Sequence, residues 1–193
     1  MPAANILSPR EGDVLPVGKV RVLSTFADCN NTLLKCYVGQ KFDAEFSANQ
    51  SGGHDGETTE AVLAGTHTVE VRNGKIVFAQ EPGVIVQANP PIIIGGGIGT
   101  ANVDKRKIHK ISVTVDQANA NYVVVQVFEL DQKTGHVILK AAGAATVKQK
   151  EEVKVDLDTD FKAEDRYIYF ARAYAYNREM QLRASTSLPL KKP

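Results

Sequence analysis

The chain has 193 residues, 43% hydrophobic and 23% charged, a globular balance rather than a disordered one. Lys and Arg number 23 against 22 Asp and Glu, a formal net charge of +1, so no strong field favours nucleic acid or an anionic membrane. Apolar runs are strand-sized: Val84–Val86 and Ile92–Ile94 are separated by Pro90 and Pro91, and neither could insert into a bilayer as a helix.

The opening "MPAANILSPREGDVL" lacks the basic and apolar regions of a signal peptide, so none is expected in this chain. Period-2 alternation then dominates. "KVRVLSTF" places Val20, Val22, Ser24 and Phe26 on one face of a strand, and "LLKCYVG" does the same for Leu34, Cys36 and Val38. Cys29 and Cys36 are the 2 cysteines, without a CxxC or a neighbouring His, so their spacing suggests no zinc site. A local disulfide between Cys29 and Cys36 and a pair of free thiols both fit; a disulfide would imply an oxidising compartment.

"SANQSGGHDGETTE" reads as a polar loop. It offers His54, Asp55 and Glu57, but the sequence places no nucleophile or further ligand beside them. "THTVEVRNGKIVFA" predicts a hairpin with a two-residue type I′ turn at Asn73-Gly74. His67 falls on its first strand, and His109 and His136 read as exposed. Asn30 and Asn49 head N-x-S/T triplets that matter only in a eukaryotic secretory context.

Near the middle stands "PPIIIGGGIGTANVD". A Rossmann loop would need Gly where Thr100 stands and a helix after it, and a P-loop would need Gly-Lys-Ser/Thr. The prolines interrupt regular structure and the glycines release the chain, so residues 89–104 are expected to be a linker or extended arm. A flexible tether would be Gly-Ser rich. Ile92, Ile93, Ile94 and Ile98 are therefore expected to be buried between domains or against a neighbouring subunit.

After residue 104 the strand pattern restarts. "KIHKISVTVD" is one strand, and "NYVVVQVFEL" and "HVILKAAG" flank the loop "DQKTG", with Gly135 at the left-handed position. "EEVKVDLD", "RYIYFARAYAYN" and "MQLRASTSLPL" complete the set, and no window supports a helix. Asp156, Asp158 and Asp160 alternate, so on a strand their carboxylates would share a side and could hold Ca²⁺. Phe161 stands where an EF-hand needs Gly, and the stretch reads better as a solvated strand end beside Lys154 and Lys162. Tyr and Arg alternate along "RYIYFARAYAYN", so Tyr174 and Tyr176 are candidates for an assembly interface or a sugar-binding face.

The stretches "NILSPREGDVLPVGKVRVLSTFAD", "LKCYVGQ" and "LAGTHTVEVRNG" resemble a bacterial immunoglobulin-like domain across roughly residues 5 to 80. That family opens on a Ser-Pro-x-x-Gly turn and has a Gly-Thr-His-Thr-Val strand near its end. The second half is similar to a fibronectin type III sandwich. Tyr169, Ala171, Ala173, Ala175 and Asn177 fit its late strand. The resemblance implies that a Tyr hydroxyl bonds back to the backbone at the strand's corner, with Tyr167 a rival for that role. With Trp 0, the buried Trp common in such sandwiches is missing.

The expected fold is all-β, two tandem Ig-like β-sandwiches: residues 1–88, the segment 89–104, and residues 105–193. No catalytic residues and no cofactor are expected. The expected function is a non-enzymatic structural or assembly protein, a phage virion component (capsid decoration, tail or fibre) or a filament subunit. Its partners would be other protein subunits, met through edge strands and an extended arm. The alternatives are a cell-surface adhesion or carbohydrate-binding module, or an accessory domain of a larger surface protein. The expected location is a virion or the cell surface.

Overall fold

A computed structural model describes residues 3–43, 45–95, 107–116, 120–148 and 151–190. The described residues form strands β1 to β14 and no helix, so the fold is all-β. The chain divides into two compact units, Met1–Asn89 with Leu130–His136, and Pro90–Glu129 with Val137–Pro193.

The first unit holds β1 (Ala3–Ser8), β2 (Val14–Pro16), β3 (Arg21–Val38), β4 (Lys41–Phe42), β5 (Phe46–Glu57), β6 (Gly65–Asn73) and β7 (Ile76–Gln87). The 18-residue β3 is its spine. Its first half pairs antiparallel with β1 and β5; its second half pairs with β4, β6 and the start of β5. Register shifts flank Cys29, and Asp28 and Asn31 both take φ of 53°. Bulges of this kind bend a strand, and Asp and Asn tolerate the left-handed region better than most residues. One continuous strand thus serves two groups of partners around one core. That core includes Ile6, Val22, Leu34, Cys36, Val38, Val69, Val71, Val84 and Val86. Leu34, Cys36 and Val38 are buried in alternation as expected; Val20, Val22 and Ser24 are buried too, but so is Leu23 between them, and Phe26 is only partly buried.

The β6–β7 turn differs from its expected form. Asn73 pairs with Ile76, so the two loop residues are Gly74 and Lys75. Only Gly74, at φ 53°, is in the positive region, which matches type II′ rather than I′. Gly supplies the one left-handed residue that type II′ needs, and Asn73 remains in the ladder.

The second unit holds β8 (Ile92–Ile94), β9 (Lys107–Val115), β10 (Tyr122–Asp131, whose last two residues count with the first unit), β11 (Val137–Thr146), β12 (Glu151–Lys162), β13 (Tyr167–Tyr176) and β14 (Leu182–Pro189). A three-stranded sheet, β12-β9-β8, and a four-stranded sheet, β11-β10-β13-β14, share one core. The chain changes sheet from β9 to β10, from β11 to β12 and from β12 to β13, the order of an Ig-like sandwich. Val123, Val125 and Val127 of β10 and Ala171, Ala173 and Ala175 of β13 face Ile111, Val113 and Val115 of β9 across that core. Gly135 takes φ of 74° in the β10–β11 loop, as expected.

The proline–isoleucine segment is not a free arm over its described residues. Ile92 pairs with Val115 and Ile94 with Val113, which makes β8 an edge strand of the second unit. Ile92 and Ile94 are buried in its core, and Ile93 is 44% exposed. The prolines precede the strand, where they remove no ladder bond, and the Pro91 carbonyl accepts the Asp116 N–H at 2.7 Å. Ile98 lies outside the described residues, as do the glycines after Gly95 up to residue 100.

Candidate functional site

Three side chains of chemical interest converge in the first unit: Cys36, Asp43 and His54. Cys36 lies on the inward face of β3 between Leu34 and Val38 and is fully buried. Gly39, at φ 60°, lets β4 fold back on β3, with Val38 paired to Lys41. That reversal brings Asp43 beside Cys36. The Asp43 N–H donates to the Cys36 carbonyl at 3.0 Å, and the Cys36 N–H donates to Asp43 Oδ1 at 2.8 Å.

His54 arrives from β5, opposite Ser24 of β3. Its Nε2 lies 2.7 Å from Asp43 Oδ2. Its ring stacks on Phe46, with centroids 3.6 Å apart and planes 11° apart. The Ser24 hydroxyl lies 3.8 Å from Cys36 Sγ. A Cβ on Gly56 would fall 2.0 Å from Asp43 Oδ2 and 2.6 Å from His54 Nε2, so glycine is required beside the cluster. One ligating atom from each of Cys36, Asp43 and His54 lies within 4.8 Å of the others.

Burial pushes the Cys36 thiol well above its ordinary value, and the neighbouring Asp43 carboxylate adds to the rise. A thiol buried in this way is a poor nucleophile, which gives no support to a Cys–His catalytic pair. It is a buried polar cluster whose donor atoms suit a thiophilic cation.

The sequence places His54, Asp55 and Glu57 in a solvated loop, whereas residues 52–57 are the second half of β5 and pair with Arg21–Phe26. Asp55 forms an ion pair with Arg21. The disulfide reading is corrected too: Cys29 and Cys36 are free and both buried. They stand seven positions apart along β3, on the order of 20 Å for a strand, beyond disulfide reach.

The remaining candidates stay apart. Asp156 pairs with Lys110 at 3.0 Å and Asp160 with Lys107 at 2.6 Å. Asp158 accepts the Ala142 N–H at 2.9 Å. The lysine partners come from β9 rather than from β12 itself, and Lys107 holds the Asp160 carboxyl below its ordinary value. Tyr174 and Tyr176 are half-buried on the outward face of β13, alternating with buried Ala173 and Ala175. Tyr169 takes the corner position: its hydroxyl accepts the Glu164 N–H at 3.2 Å and donates to Glu129 at 3.0 Å. Tyr167 instead meets Arg166 through its hydroxyl.

Neither a protein-family model nor a curated protein matches the chain. Among solved structures, an alpha-2-macroglobulin of E. coli is similar over 100% of this chain, at 11% identity and a TM-score of 0.32. The adhesin InvE of Yersinia pseudotuberculosis is similar over 98% of the chain, at 15% identity and a TM-score of 0.29. A titin Z1Z2 tandem is similar over 97% of both chains, at 13% identity and a TM-score of 0.25. The chain spans 14% of the first of these proteins and 58% of the second. Likeness this remote carries no function across. The Ig-like description rests on the sheets themselves.

Proposed function

We propose that the chain is a non-enzymatic structural subunit that associates through edge strands, in a virion component or a filament. The observation that carries this reading is a pair of uncovered apolar strand segments. Ile138 and Leu139 are consecutive on β11, so they point to opposite faces, yet both are exposed. β11 is the terminal strand of its sheet, and Ile138 and Leu139 lie in its first half. Ile76 and Val77 repeat the pattern at the start of β7; both are exposed, and β2 pairs with β7 only from Ile85 to Gln87. An apolar, two-sided edge is a template for strand addition from another subunit.

The partner strand comes from a second copy of this chain. Light scattering behind size-exclusion chromatography should give a mass that rises with concentration above the 20.9 kDa protomer. Ile138→Lys with Leu139→Lys should return it to a monomer with an unchanged circular dichroism spectrum. A monomer at every concentration would remove self-association from this reading.

A second reading, a carbohydrate-binding or adhesion module at a cell surface, draws on the half-exposed Tyr174 and Tyr176. Glycan binding that disappears in Tyr174→Ala and Tyr176→Ala would favour it.

A further inference from the structure

We infer that Cys36, Asp43 and His54 form a binding site for one zinc-class divalent cation, which ties β3, β5 and the connection between them together. The donor set is one thiol sulfur, one carboxylate oxygen and one imidazole nitrogen. Thiolate and imidazole select zinc-class ions over calcium and magnesium, which take oxygen ligands.

Around a tetrahedral zinc ion, ligand atoms lie about 3.3 to 3.6 Å apart, given Zn–S near 2.3 Å and Zn–N or Zn–O near 2.1 Å. Here the His54–Asp43 pair is at 2.7 Å and all three atoms lie within 4.8 Å, so small side-chain shifts bring them onto one ion. Three further features favour a built site. Asp43 Oδ1 is held by the Cys36 N–H, which leaves Oδ2 as the free-standing donor toward His54. The Phe46 ring fixes the plane of the imidazole. Gly56 keeps side-chain bulk out of the space beside both donors.

The cluster is also reachable. The Asp43 side chain is 3% exposed, but that of His54 is 20% exposed. An ion can enter on the His54 side, and a water molecule can fill the fourth position. Binding replaces the Cys36 S–H bond with an S–metal bond and releases that proton to solvent. In the metal-free cluster the His54 Nε2–H donates to Asp43 Oδ2, so binding breaks that N–H bond as well: the proton passes through solvent to Nδ1, and Nε2 takes the ion. No electron changes hands.

The test uses the full chain, reduced, stripped with a chelator, and loaded with zinc chloride or cobalt chloride. Elemental analysis after gel filtration should find about one ion per chain, and zinc should raise the melting temperature. The cobalt form should show thiolate-to-cobalt charge-transfer absorption, retained in Cys29→Ser and lost in Cys36→Ser. His54→Gln should weaken zinc binding by more than the ~10- to 100-fold typical of losing an outer-shell partner. It remains informative if Cys36→Ser fails to fold. Metal well below one ion per chain in the wild type would overturn the site. So would a cobalt spectrum without thiolate absorption, or equal zinc affinity in His54→Gln.

Discussion

Tyr169 and Glu129 meet inside the second unit as a buried polar pair. The tyrosine hydroxyl donates to the Glu129 carboxylate, which also lies 3.2 Å from Lys140 Nζ. The same hydroxyl accepts the Glu164 N–H, so it closes the backbone turn before β13. Tyr169→Phe removes one partner from each group while preserving ring packing. The expected cost is about 1–3 kcal/mol, read as a lower urea midpoint with unchanged slope. Cys36 supports a prediction of a different kind. Its folded thiol is held above the ordinary value by burial. Above a pH of about 8.5 the unfolded chain releases that proton first, so the folded state binds more protons and stability falls as pH rises. Urea midpoints measured with a chelator present should drop as pH is raised from about 8 to about 10, at most ~1.4 kcal/mol per unit for each thiol. Cys36→Ser should flatten the drop. An unchanged slope would place the titration elsewhere.

At the scale of elements, β8 separates the two meanings of an apolar run. Three isoleucines in succession suggest a uniformly sticky arm, but a strand alternates its faces. Ile92 and Ile94 enter the core and Ile93 stays outside. Ile92→Ala is therefore expected to cost about 2–5 kcal/mol, and Ile93→Ala to stay within about 0.5 kcal/mol of wild type by urea unfolding. Equal effects would contradict the observed register. Elements of this kind also show what sequence conveys. Alternation in β3, β10 and β13 was readable because burial on one face follows directly from a period of two. The turn at Gly74-Lys75 was readable only to within a residue, because both Asn73 and Gly74 suit a left-handed position. The β8 strand was hidden by its prolines, which exclude a central strand but not an edge.

For the whole molecule, two separate cores imply two cooperative blocks. Val71 belongs to one core and Ile92 to the other. Calorimetry should resolve two transitions, with Val71→Ala lowering the first unit's and Ile92→Ala the second's. A single transition shifted as a whole by either change would show that the cores unfold together. The all-β class followed from sequence alone, because strand periodicity and turn residues are local properties of the chain. The Cys36–Asp43–His54 cluster did not. Its members stand at irregular spacing, and no local rule sets which residue of β5 faces which residue of β3. Register shifts at Cys29 and the fold-back at Gly39 decide that. Local chemistry wrote the strands; only tertiary pairing could place a histidine against a buried aspartate and thiol, because contact across strands depends on bulges and register.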